Sequence, residues 1–276
     1  MTEQPPNSAP QITAARTALP RWRLPPGVTR SLWDYTLAPH IALDYDEYFQ
    51  GNSLFEFDEA FIAKHLQQPG WLADLGCGTG RLLVPFARRG FRGLAVDLSK
   101  HMLGVVAEKA AAEQLPVDRL MANLTELDCL RDASIDYAIC MFSTLGMVQG
   151  ADQRRRVMDH VFRVLKPGGI FILHVHNRWH HLYQPEGRRW LLSNLLRSWL
   201  WRDSEPGDKF FDYRGIPQMY LHAFTRSELR RLITSAGFKI VEMMPLDTER
   251  RHALPRAWFF ERLRANGWIT ACQRPA

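Results

Sequence analysis

The feature that most limits how this chain can fold is a run of alternating glycines, Gly76-Cys77-Gly78-Thr79-Gly80, set between a strand-like and a helix-like segment. Glycine turns tightly and lets the backbone approach a ligand with no Cβ in the way. Before it, WLADL (71–75) reads as a buried strand. After it, 81–89 reads as a helix with Pro85 near its first turn, where a missing N–H does no harm. The alternation then repeats. Strands are expected at 92–98, 118–123, 135–142 and 169–177. Helices are expected at 99–114, with Ser99 as N-cap, and at 151–165, stopped by Lys166-Pro167-Gly168-Gly169. A helix at 225–237 precedes a strand at 238–244, and a helix near 256–265 precedes a strand at 267–273. The alternation implies an α/β fold, a doubly wound, mostly parallel sheet of seven strands with helices on both faces.

The flanks are different. Residues 1–30 hold six prolines, which oppose helix and central strand alike, so this stretch reads as a flexible arm with Trp22 as its docking contact. Residues 31–68 read as helical, broken near Pro39, and 31–276 as a single domain interrupted by an insertion at about 178–220. Apolar residues make up 46% of the chain, enough for a large core. No apolar run approaches the roughly 18 residues of a membrane span, and the first residues lack the apolar stretch of a secretory signal. Cys77, Cys129, Cys140 and Cys272 form no CxxC pair, the pattern of reduced thiols in a cytoplasmic protein.

Three side chains fall at carboxyl ends of expected parallel strands, where open α/β sheets bind ligands. Asp74 would repel a pyrophosphate and suits a ligand with a positive amino group. Asp97 can accept both hydroxyls of a ribose, and the Asn123 amide can bond an adenine edge. The glycines at 76, 78 and 80 also depart from the GxGxxG spacing of a dinucleotide site.

ADLGCGTGRL (73–82) resembles the first motif of class I S-adenosylmethionine-dependent methyltransferases, which have a Rossmann-like sheet. VDLSKHML, ANLTEL and HVFRVLKPGGIFIL resemble three further motifs of that family, in order, and the similarity covers roughly 45–273. One departure is Asp128, where the family often has proline. The resemblance implies S-adenosyl-L-methionine as cofactor. Asp74, Gly76, Cys77, Gly78 and Gly80 would hold its amino-acid end and backbone, and Asp97 its ribose. Leu98 and Met102 would pack near the adenine, Asn123 and Leu124 would flank it, and Met141 and Phe142 would lie near the sulfonium. Asp44-Tyr45-Asp46-Glu47-Tyr48-Phe49 resembles a leading segment of such enzymes, whose aromatic, here Tyr45, covers the cofactor.

Candidate bases cluster after the fifth strand: His174, His176 and Asn177, then His180 and His181. The histidines lack the carboxylate or cysteine partners of a metal site, so no metal is expected. In the insertion, 188–202 reads as a helix with Leu191, Leu192, Leu195, Leu196, Trp199 and Leu200 on one half and Trp190, Asn194, Arg197 and Trp201 on the other. It is expected to pack as a lid. A peripheral membrane contact or an oligomer interface stays open, and 178–220 as a whole is expected to wall the acceptor side with Phe210, Phe211 and Tyr213. A small-molecule acceptor is the leading expectation. The net charge of +6 also permits nucleic acid, but the basic residues are dispersed and no RNA-binding module is recognised. The alternatives are therefore an RNA methyltransferase and a non-catalytic cofactor-binding assembly or regulatory protein.

Overall fold

The computed structural model describes residue 20 and residues 23–48, 54–200 and 204–276. Trp22 and Trp201 lie outside them, as does most of the expected arm. Four helices come first: α1 (Arg30–Thr36), α2 (Pro39–Leu43), α3 (Tyr45–Tyr48) and α4 (Leu54–His65). Then follow β1 (Trp71–Leu75), α5 (Leu83–Arg88), β2 (Arg92–Asp97), α6 (Lys100–Ala112), β3 (Val117–Met121) and β4 (Ile135–Cys140). A short α7 (Thr144–Met147) and α8 (Ala151–Val164) lead to β5 (Leu165–His176). The expected seven-stranded sheet is present, in the order β3-β2-β1-β4-β5-β9-β8, with β8 (Lys239–Pro245) and β9 (Gly267–Gln273) at one edge. The first five strands are parallel, and β9 runs antiparallel to both β5 and β8. The order reverses between β1 and β4, and a crevice opens there at the carboxyl ends.

Each sheet face has its own core. One packs Val157, Met158 and Val161 of α8 and Leu229 and Ile233 of α10 (Arg226–Ser235) on β4 and β5. The other packs Ile62 of α4, Phe86 of α5 and Val106 of α6 on β1 and β2. Local signals work as expected: the Ser99 side chain caps α6, and Thr225 with Glu228 forms a capping box at α10. Pro85 sits in the first turn of α5, where it displaces no intrahelical donor.

Between β5 and α10 the chain makes a 3₁₀ turn (Arg178–Tyr183), a long α9 (Pro185–Leu200), and an antiparallel hairpin of β6 (Asp208–Tyr213) and β7 (Ile216–His222). The hairpin is not among the elements expected from the sequence. Its two-residue loop is Arg214-Gly215, both at positive φ, which suits the right-handed twist of paired strands. A buried polar network fastens it. Asp208 accepts from Tyr220 Oη at 2.7 Å and His222 Nδ1 at 2.9 Å, and His222 Nε2 faces Glu228 at 2.6 Å. Arg154 of α8 reaches Glu205, and Arg178 reaches Glu228. Burial alone would raise the Asp208 carboxyl, but the bonds from His222, Glu205 N and Tyr220 hold it below its ordinary value. Glu205, Asp208 and His222 come close enough to hold a cation. Their lone pairs are instead taken by protein donors, among them the Arg154 guanidinium on Glu205, so the cluster acts as a clamp.

Residues 256–265, expected to be helical, are mostly loop, and only Glu261–Arg264 (α11) is helix. Arg264 explains this, since its guanidinium donates to the carbonyls of Pro255, Arg256 and Phe259 and replaces helical bonds.

Candidate active site

The crevice holds a cavity of about 340 Å³. Its floor is the glycine turn. Gly76, Gly78 and Gly80 have φ of +76°, +53° and +75°, the left-handed region that favours glycine. A Cβ on Gly76 would lie 2.4 Å from Thr144 Cγ2, so the turn and α7 approach as closely as backbone allows. A Cβ on Gly78 would point toward the cavity and meet only the Tyr45 ring, at 3.8 Å.

The two acids flank this turn. Asp74 ends β1 and borders the cavity, and burial, with Asp97 nearby, pushes its carboxyl up to about 8. Asp97 ends β2 and accepts from Gly78 N at 2.9 Å and Ser99 N at 2.8 Å. Burial raises the Asp97 carboxyl as well, against those amide bonds. Asp74 is buried and Asp97 half-buried, and two such acids side by side are costly, so the pair marks a place prepared for a positively charged group.

The structure brings most of the sequence-derived cofactor residues to one cavity: Tyr45, Asp74, Gly76, Cys77, Gly78, Asp97, Leu98, Met102, Asn123, Leu124, Met141 and Phe142 all line it. Gly80 does not. It faces α6 instead, where a Cβ would press on Val106 at 3.1 Å. Asn123 lines the cavity with its amide already engaged, donating to Pro26 O at 2.9 Å. Its Oδ1 accepts from Thr125 N, so it tethers the segment before α1. That segment was expected to be an arm, yet Gly27 and Val28 line the cavity beside Leu32 and Tyr35 of α1.

The roof comes from two separate parts of the chain. Tyr35 and Tyr45 descend from α1 and α3, while Phe211, Tyr213 and Leu221 come from the hairpin. The two parts grip each other. Ser31 Oγ donates to Gln218 O at 2.8 Å, the Tyr35 and Tyr213 rings lie 6.2 Å apart, and Arg214 pairs with Asp44. Asp46 of α3 is held over the glycine turn by Thr79 Oγ1 at 2.6 Å and by Lys109. α9, expected as the lid, contributes no lining residue.

Of the candidate bases, only His176 lines the cavity. Burial, together with Arg250, lowers its imidazole to about 3. His174 is fully buried one strand step deeper, also lowered by burial, and its ring nitrogens have no partner. Asn177 is fully buried too, and its amide holds the carbonyls of Arg262 and Ala265 at 2.9 and 2.8 Å. His180 and His181 lie on the 3₁₀ turn, outside the lining, with His181 lowered to about 4 by burial, Lys209 and His180.

One feature had no sequence signal. Phe142 and Ser143 both have positive φ, +55° and +61°, directly after β4. Left-handed backbone at a bulky aromatic is strained and persists only where surroundings enforce it. Here the Phe142 ring is sandwiched between Phe55, at 4.9 Å, and the Arg250 guanidinium, at 4.6 Å. Arg250 is itself buried and paired with fully buried Asp58 at 2.6 Å.

Residues 72–169 match a family of methyltransferase domains. A putative methyltransferase of Geobacillus is 31% identical over 133 residues, covering 46% of this chain and 53% of that protein. The matched region, residues 72–169, is a methyltransferase domain of the class I, S-adenosylmethionine-dependent type. The chain spans about half the length of the curated relatives it matches. Among solved structures, a SAM-dependent methyltransferase of Methanosarcina mazei superposes with a TM-score of 0.64 at 22% identity, over 78% of this chain and 97% of that one. The 1,6-didemethyltoxoflavin-N1-methyltransferase of Burkholderia thailandensis, solved with 1,6-didemethyltoxoflavin and S-adenosylhomocysteine, superposes at 0.59 and 20% identity, over 88% and 89%. These likenesses establish a shared Rossmann-like fold.

Proposed function

We propose that this protein transfers a methyl group from S-adenosylmethionine to a small, apolar or aromatic acceptor. The observation that carries this is the pair of acids ending β1 and β2 on either side of a positive-φ glycine turn. Asp74 suits the cofactor's ammonium, and Asp97, already oriented by two amides, keeps lone pairs for ribose hydroxyls. Met102, Leu98 and Leu124 offer an apolar slot for the adenine. When bound, the cofactor supplies a methyl group already activated by its sulfonium. What remains for the chain is to orient the acceptor and exclude water.

The acceptor side is aromatic and poor in bases. A histidine held near 3 is neutral at physiological pH but too weak a base to hold a proton, so His176 serves as a neutral hydrogen-bond partner. Burial raises the Tyr35 and Tyr45 phenols far above their ordinary value, so they stay protonated and present rings. Such a site suits an acceptor atom that is already nucleophilic or acidic enough to ionise in water. The ligand of the Burkholderia structure supports the reading of a small acceptor.

Tritium transfer from labelled S-adenosylmethionine into fractionated cell extract tests this. Label should appear in a small-molecule fraction. Tyr213→Ala should lower kcat/KM for that acceptor about ten- to a hundredfold, by loss of one pocket aromatic, while S-adenosylhomocysteine affinity changes less than about twofold. Label in RNA or protein, or no transfer to any fraction, would overturn the proposal.

A further inference from the structure

α9 is oriented the opposite way from what its sequence pattern implies. Its inner face is Gly187, Leu191 and Asn194. Asn194 is buried because its side chain bonds Glu205 O, Asp208 O and Gly207 N, and Trp190 Nε1 donates to Asp208 O at 3.0 Å. These bonds tie the helix to the start of the hairpin and turn Leu192, Leu195, Leu196 and Leu200 outward, while Leu191 stays inside. Leu192 is 67% exposed, Leu196 60% and Trp199 84%, with Leu195 and Leu200 beside them. At about 100° per residue these five cover roughly 140° of the helix surface.

A second apolar surface stands next to it. In the loop before α11, Trp258 is 83% exposed, with Phe259 and Phe260 also outward. The loop is no loose end, because Arg264 fixes three of its carbonyls and so holds the rings in solvent. The 3₁₀ turn Arg178–Tyr183 packs against both α9 and α11 and exposes Leu182 and Tyr183 between them. The three elements therefore form one apolar belt.

The belt is ringed by cations. Arg188, Arg189, Arg197, Arg256 and Arg262 are exposed, and none makes an ion pair among the described residues. Of the acids on these elements among the described residues, Glu261 is taken by Trp268 and Arg226, and Glu186 remains. With five guanidinium groups left without an acid of their own among the described residues, the surface around the apolar side chains is strongly cationic and calls for an anionic counterpart. Leucine, tryptophan and phenylalanine flanked by arginine match the interface of an anionic bilayer, where apolar rings enter the headgroup layer and cations meet lipid phosphate.

We infer that this belt docks the protein on an anionic membrane surface, peripherally. No helix among the described residues is long and apolar enough to cross a membrane, so the contact is with one leaflet. The inference does not depend on the acceptor or on methyl transfer.

Flotation of the full chain with vesicles of equal parts phosphatidylglycerol and phosphatidylcholine tests it, with vesicles of phosphatidylcholine alone alongside. The chain should float with the anionic vesicles, far less with the neutral ones, and should be released by salt. Leu196→Glu with Trp199→Glu should lower partitioning about a hundredfold, and each of Arg188→Ala, Arg189→Ala and Arg197→Ala about fivefold. Trp258→Ala should also weaken it, because the loop shares the surface. All these side chains are exposed, so thermal melting should stay near that of the unaltered chain, which separates loss of docking from loss of fold. The inference falls if the chain ignores anionic vesicles at low salt, or if the variants float as well as the parent. It falls equally if sedimentation finds a dimer that Leu196→Glu with Trp199→Glu dissociates, since the belt would then be covered by a second copy.

Discussion

Asparagine in place of Asp74 is expected to weaken S-adenosylhomocysteine binding about ten- to a hundredfold at pH 8, the loss of a charge-assisted bond of roughly 1.5–3 kcal/mol to the ligand's ammonium. The same substitution should change the pH dependence. In the empty cavity the Asp74 carboxyl is pushed up to about 8 by burial and by Asp97, so at pH 7 it mostly holds a proton. An arriving ammonium favours the ionised form, and the proton leaves on binding. Affinity should therefore rise as pH increases from 6 toward 8, by up to about tenfold per unit. The sign for stability is the reverse. A carboxyl raised in the folded state makes the empty protein lose stability as pH climbs from the ordinary carboxylate range toward 8. Asp74→Asn should flatten both slopes. Calorimetry in two buffers of different ionisation enthalpy reads the released proton directly. No proton release by the parent chain, or unchanged affinity in Asp74→Asn, would mean that no ammonium sits at β1.

The largest loss of stability should follow Gly76→Ala. Its φ of +76° costs an L-residue about 1–2 kcal/mol. The new Cβ would also sit 2.4 Å from Thr144 Cγ2, an overlap worth about 1–3 kcal/mol more. Urea denaturation should show a total destabilisation of about 2–5 kcal/mol. Adding Thr144→Ser removes the closest methyl but leaves Oγ1 at 3.0 Å and Cβ at 3.2 Å, so the double variant should recover the steric share only in part. If Thr144→Ser restores nothing, the closeness of the turn to α7 is not what makes glycine necessary there.

Much of the sheet was legible because burial on both faces turns interior strands into apolar runs with sharp ends. WLADL and GWITACQ appear as strands at the positions read from the sequence. The acids at the carboxyl ends of β1 and β2 were legible for a related reason: a carboxyl group stands out against a buried apolar run. The hairpin was not, because its turn is Arg-Gly and not the Asn-Gly that signals such loops, and a bulge at Pro217-Gln218 breaks the alternation of β7. Which face of α9 turns outward was not legible, for a physical reason. Periodicity identifies an apolar stripe but not what lies opposite, and the bonds of Asn194 and Trp190 decided which side was buried. Asn123 shows the same limit at the site, since the carbonyl that takes its amide belongs to Pro26, 97 residues earlier. The Asp58–Arg250 pair beneath Phe142 spans 192 residues, and no local pattern announces it.

The most direct test of the cofactor assignment is calorimetric titration of the unaltered chain with S-adenosylhomocysteine and, separately, with NAD. The carboxylates at Asp74 and Asp97 and the glycines between them predict saturable binding of S-adenosylhomocysteine at one site per chain, with NAD bound at least a hundredfold more weakly because its pyrophosphate would face Asp74. Tight binding of NAD with no heat from S-adenosylhomocysteine would contradict it.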